Sequence, residues 1–282
     1  MKKLEGQRFR SLFLPCEFFY ILCDNILMEL TTIIGLLIGI GGIFVGNLLE
    51  GGHTSSLMQF TAGFIVLTGT IGATLVSSKQ SHFKLGLQLL LQIFKDSSKE
   101  ESELKESLAE IVECTKIVKR ESIVAIEPRI SKMKNPFLRK VLRNVVDGID
   151  PQITRDTFYT ELDAEEETLM AGAKVWNDAG GFAPTIGILG AVLGLIHVMG
   201  NLTDTSKLGE GIAVAFVATV YGVGLANLVF LPFANKLKKH IEERMNNKKI
   251  LLEGALLINP GLSSNIVGQR LTAYIEGKNQ EA

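Results

Sequence analysis

The sequence predicts an all-α membrane protein: four transmembrane helices, with a large helical cytoplasmic domain between the second and the third. Three observations predict it. Four stretches, 30–49, 55–76, 179–202 and 211–235, carry no Lys, Arg, Asp or Glu, and each supplies the roughly 20 apolar residues that a helix needs to cross a hydrocarbon core about 30 Å thick. A long polar stretch, 79–178, separates the second from the third, whereas the links 50–54 and 203–210 are short. With 46% hydrophobic and 21% charged residues, and a mean hydropathy of +0.26, the chain is more apolar than a water-soluble domain that must cover itself with charge.

Composition also excludes several functions. The 29 Lys and Arg residues against 30 Asp and Glu leave a net charge of −1, so no basic excess points to nucleic acid. Cys16, Cys23 and Cys114 have no CxxC spacing and the four histidines form no paired ligand pattern, which argues against a disulfide framework, a metal site and a bound cofactor. No span carries a nucleophile with a base, or a metal-ligand set, so an intramembrane enzyme is not expected.

Taken in order, residues 1–29 form an N-terminal extension. Lys2, Lys3, Arg8 and Arg10 precede the apolar 12–27 segment as in a secretory leader, but Glu17 and Asp24 interrupt it and no small-residue cleavage site follows. A cytoplasmic or interfacial helix is the expected form, with Met28 as an alternative start. Residues 30–76 make the first hairpin and 179–235 the second, leaving 236–282 as a C-terminal tail. Lys79 and Lys84 follow the second span and Lys236, Lys238, Lys239 and Arg244 follow the fourth, while the short links hold only Lys207. Positive flanks stay cytoplasmic, so both termini and the insert belong on that side.

The insert, 77–178, reads as helical throughout. Residues 83–94 are apolar, and 100–113 is charged with Leu104, Leu108, Ile111 and Val112 at helical spacing. Asn135 followed by Pro136 is a helix start and Gly148 a stop, with Phe137, Leu138, Val141, Leu142, Val145 and Val146 on the apolar side. From Pro151 a longer helical pattern runs through Trp176 into the third span.

Within the spans, Gly35/Gly39, Gly42/Gly46 and Gly190/Gly194 have the small-xxx-small spacing that lets helices approach closely in lipid. His197 is the one imidazole, ammonium or carboxylate group they hold, and it reads either as an interfacial histidine or as a proton relay. An ion path would therefore need a carboxylate from a partner. Thr219, Pro184 and Pro232 are the features able to line or bend such a path. Equally, the residues alone allow Thr219 to bond its own helix carbonyl and the prolines merely to kink their helices.

Two segments carry a resemblance. Residues 180–195, GGFAPTIGILGAVLGL, resemble the third span of the MotA family of flagellar stator subunits, and residues 211–222, GIAVAFVATVYG, followed by Pro232, resemble its fourth. Together with the four-span layout and VDGIDP at 146–151, the resemblance covers the chain after Met28. It implies a ring of A subunits, a homopentamer, around two single-span MotB subunits whose aspartate carries the ion, in the bacterial inner membrane. Pro184 and Pro232 match the prolines that couple ion flow to movement of the cytoplasmic domain, and Thr219 matches the span-four threonine facing the path. Ala191 and Ala218 stand where sodium-driven relatives place threonines. A methyl group cannot coordinate a cation, so the resemblance implies proton coupling. It also implies contact with the rotor protein FliG through Glu127 and through Lys119 or its neighbour Arg120. Read without the resemblance, Glu113, Lys116, Lys119, Arg120 and Glu127 are a solvated helical face. The ExbB/TolQ branch, which energises outer-membrane processes, is the nearest alternative, but its members have three spans and an insert after the first. A plain scaffold would show no ion-dependent rotation.

Overall fold

The computed structural model describes residues 16–93, 97–200, 205–258 and 266–271, among which there is no strand. Among the described residues the α-helices α1 (Cys16–Leu49), α2 (Phe60–Ser77), α3 (Gln80–Ile93), α4 (Ser97–Arg120), α5 (Glu127–Ile130), α6 (Pro136–Val146), α7 (Pro151–Gly200), α8 (Thr205–Leu225) and α9 (Leu231–Leu256) run in order, with a further helical stretch at 266–271. Short 3-10 turns occupy Thr54–Leu57 and Ile123–Ile126, and a π turn, Ala226–Phe230, joins α8 to α9. Four of the helices are long and apolar enough to cross a membrane, as predicted. The helix of the first span reaches back to Cys16, so residues 16–29 continue that span's helix. The expectations for residues 1–15, for the end of the third span at 201–202 and for the tail at 259–265 and 272–282 lie outside the described residues.

The chain divides into two compact units. One gathers residues up to Ser98 with Ala171–Lys238. Its centre is the packing of α2 on α8, where Ala62, Val66, Val217 and Ala218 are buried. Elsewhere its surface is apolar: Leu37, Ile38, Phe60, Phe64 and Val76 are all more than half exposed. Such a surface fits a hydrocarbon solvent or further chains rather than water. The insert reading assigned α3 and residues 171–178 to the soluble part, yet both pack in this unit. Glycine is the reason: a Cβ on Gly86 would stand 2.8 Å from the Gly172 carbonyl oxygen, and one on Gly172 would stand 2.9 Å from Leu89 Cδ1. Trp176 Nε1 seals this crossing by donating to the Gly86 carbonyl at 2.9 Å.

The second unit joins Lys99–Met170 to the chain beyond Lys239. Asn135 caps α6 as expected, its Oδ1 accepting from the Phe137 and Leu138 amides at 3.0 and 3.1 Å, and Gly148 ends that helix's turn at φ +72°, a conformation glycine adopts freely. Asp150 repeats the device at the start of α7, accepting from Gln152 N at 2.8 Å. Leu138, Val141 and Leu142 are fully buried with Ile111, Phe158 and Leu252, each such side chain contributing about 1.5–3 kcal/mol relative to exposure. The region beyond residue 236, read from sequence as a tail, thus supplies part of this core through Ile250, Leu251, Leu252 and Ala255 of α9. Arg155 grips Glu253 with two bonds, 3.0 and 2.6 Å, and Lys248 meets Glu165 at 2.5 Å. These pairs fix α9 beside the first half of α7.

Candidate functional site

The chemistry of the spans rests on how α7 and α8 cross. Small residues face one another along the whole contact: a Cβ on Gly194 would stand 3.0 Å from Ala215 Cβ, one on Gly190 3.0 Å from Ala218 Cβ, and one on Gly187 2.9 Å from the Ala218 oxygen. At Gly222 the added carbon would come within 2.5 Å of the Ala183 oxygen. The glycine spacing at 190 and 194 therefore works as predicted, whereas Gly35, Gly42 and Gly46 of α1 face open space and Gly39 meets only Leu228.

Both prolines sit in helical backbone. Pro184 lies inside α7, where it has no N–H for the Gly180 carbonyl four residues earlier. Pro232 is the second residue of α9 and deprives Leu228 in the same way. Just before it the helix widens, and the Leu231 N–H donates to the Ala226 oxygen, five residues back. A wide turn of this kind makes room for a proline ring without ending the helix. The two weakened places meet: a Cβ on Gly180 would stand 2.6 Å from Leu231 Cδ2. The residue whose carbonyl Pro184 orphans thus packs against the residue preceding Pro232.

Thr219 is half-buried, and its hydroxyl donates to the Ala215 oxygen at 3.5 Å, a long bond within its own helix. Ala218 is fully buried in the packing of α8 with α2 and α7, while Ala191 is half-buried and His197 exposed. One residue that the sequence reading passed over is Tyr221. Its hydroxyl donates to the Leu57 oxygen at 2.5 Å and accepts from the Gln59 amide at 3.3 Å. Only an aromatic side chain with a polar tip inside an apolar span hinted at such a role.

In the second unit Lys119 and Arg120 close α4, and Glu127 opens α5, all three exposed. Among the described residues none of them has an ion-pair partner, whereas Glu113 pairs with Lys116 at 2.5 Å, Glu106 with Lys134 at 2.8 Å and Glu161 with Lys140 at 2.5 Å. The hydrogen bond from Lys116 holds the Glu113 carboxyl below its usual range. Glu127 lines a surface hollow of about 200 Å³ with Ile130, Ser131, Arg143, Val146 and Asp147. Burial pushes the Cys114 thiol up to about 11, so it stays protonated and unreactive at neutral pH. No group of three or more His, Cys, Asp or Glu among the described residues is placed to hold a metal ion.

Comparison with known proteins joins these features. Residues 129–250 match the MotA/TolQ/ExbB proton channel family, and residues 33–122 match the motility protein A N-terminal family. Motility protein A of Bacillus subtilis is 31% identical over 253 residues, covering 90% of this chain and 93% of that protein. The Treponema phagedenis motility protein A is 33% identical over 254 residues, covering 90% and 96%. The solved flagellar MotAB stator complex of Bacillus subtilis superposes with a TM-score of 0.79 at 31% identity, over 88% of this chain and 96% of that one. With the α7–α8 crossing and both prolines inside the matched residues 129–250, and relatives 31–33% identical over 90% of the chain, the chain belongs to the motility protein A family of the MotA/TolQ/ExbB proton channels.

Proposed function

We propose that this chain is the A subunit of a flagellar stator, which together with a MotB-like single-span subunit converts ion flow into torque on the rotor. The observation that carries the reading is the likeness to a solved MotAB stator over 88% of the chain, at 31% identity. The span composition supports it. Apart from His197 the four predicted spans hold no carboxylate, ammonium or imidazole, so the ion-carrying aspartate comes from the partner. A ring of five copies around a B dimer, lying in the bacterial inner membrane with the termini and the insert in the cytoplasm, provides that arrangement.

In this reading the ion reaches the partner's aspartate beside Thr219 of α8, with Ala191 and Ala218 near the path. An ionised carboxylate at membrane depth is costly, and binding a proton removes that cost. The change of charge shifts the preferred packing of α7 and α8. Pro184 in α7 and Pro232 in α9, just past the π turn that follows α8, give the spans places to bend, and α7 continues unbroken to Pro151. In the second unit Lys119 or Arg120, with Glu127, none of them ion-paired among the described residues, meet complementary charges on FliG. Exposed charges suit a stepping contact because each pair is weak and quickly released. The alanines at 191 and 218 offer no oxygen to a sodium ion, which favours protons. The match of residues 33–122 to the motility protein A N-terminal family favours this reading over the ExbB/TolQ branch.

The test is complementation. Supplied with its cognate B subunit in a strain lacking stators, the chain restores rotation of tethered cells. Assembled complex that never turns the rotor would overturn the stator reading.

A further inference from the structure

We infer that Tyr221 is a positioning residue: its hydroxyl clamps the start of α2 to α8, so that α7 moves against a fixed pair of helices. The inference rests on the stator reading above.

A need for a clamp follows from where α2 begins. Between the 3-10 turn Thr54–Leu57 and Phe60 the backbone is not helical, and Gln59 caps α2 without any side-chain hydrogen bond. The first amides of a helix lack intrahelical partners, and in lipid no water replaces them. A phenol both donates and accepts. Tyr221 uses both capacities, toward Leu57 O at 2.5 Å and from Gln59 N at 3.3 Å, across 164 and 162 residues of sequence. Its ring lies over Gly63, where a Cβ would stand 3.4 Å from Cε2. A Cβ there would make ordinary contact with the ring, whereas the further carbons of a branched side chain would push against it.

The neighbouring residue points to what the clamp is for. Gly222 presses on α7 at the Ala183 oxygen and at Gly187, and Ala183 is bonded to Pro184. Consecutive residues of α8 thus engage different partners, Tyr221 holding α2 and Gly222 bearing on α7 beside its proline. Thr219 stands two residues before the clamp. Any bending of α7 at Pro184 pushes on α8 at Gly222, and α8 resists only as far as it is tied to α2. The packing of Ala62 and Val66 on Val217 and Ala218 holds the two helices together, and the two directional hydrogen bonds add a fixed register to it.

The test separates force from assembly. Tyr221→Phe keeps the ring and removes both bonds, while Gly63→Val keeps the hydroxyl and wedges the ring away from the turn. Each is expressed with the B subunit in a stator-less strain, and the step in stall torque is read as single stator units join one motor. Both variants should be recovered from membranes at wild-type level and give step heights lowered by at least roughly two- to ten-fold, the factor by which losing the shorter of the two bonds alone shifts an equilibrium. The double variant should be no worse than Tyr221→Phe, because both changes remove the same contact. Wild-type step heights, additive losses, or a loss confined to the amount of complex recovered would overturn the inference. Should Tyr221→Phe fail to assemble, a wild-type step from Gly63→Val overturns it equally. If the unaltered chain gives no torque steps, the stator reading itself fails.

Discussion

Single atoms decide how closely the spans pack. At Gly222 a Cβ would come within 2.5 Å of the Ala183 carbonyl oxygen, a backbone atom that cannot swing away as a side chain would. Gly222→Val is therefore expected to cost more than the usual 1–3 kcal/mol of overpacking, roughly enough to prevent stable assembly. The check is the amount of complex recovered from membranes, which should fall to background. Gly46, whose added Cβ would meet nothing within 4 Å in this chain, is the control, and Gly46→Ala should leave recovery unchanged. Equal recovery of both variants would show that α7 and α8 approach less closely at Gly222 than a Cβ 2.5 Å from the Ala183 oxygen implies. The prolines behave differently, since removing them restores hydrogen bonds. Pro184→Ala and Pro232→Ala should each leave assembly at the wild-type level, as the restored N–H can add about one backbone bond, while abolishing torque. Normal swimming by both variants would contradict the coupling role.

At the level of helices, the local devices were legible and the partnerships were not. Asn135, Pro136 and Gly148 announce the limits of α6 because a cap, a missing N–H and a positive φ are properties of one residue and its neighbours. Apolar periodicity likewise marked the inward faces of α4 and α6. What faces them is a matter of three dimensions. Nothing in the spacing of Ile250, Leu251 and Ala255 says that they complete the core around Ile111 and Leu138. The docking of α3 through Gly86 and Gly172 and the Tyr221 bonds were hidden for the same reason, since each joins residues more than 80 positions apart. The prolines were visible, but not that Gly180 and Leu231 bring their two weak points together. On the surface of the second unit, Lys119, Arg120 and Glu127 carry no internal ion pair among the described residues and are free to engage a partner. Exposed pairs contribute about 0.2–1 kcal/mol each, so neutralising all three should weaken rotor docking roughly ten-fold. Counting stator units on a working motor checks this, and unchanged occupancy with unchanged torque would remove these residues from the interface.

Taken whole, the molecule divides its work between an apolar unit without a carboxylate in its spans and a charged unit bonded to it through the continuous helix α7. Neither performs the function alone. The first lacks an ion carrier and the second lacks a source of energy. If protons crossing with the partner's aspartate drive this chain, the coupling ion is read from the rotation speed of a bead on a motor powered only by this chain and its B subunit, with sodium and the membrane pH gradient varied separately. Rotation should persist without sodium and stop when the proton gradient collapses. Rotation that requires sodium would contradict proton coupling.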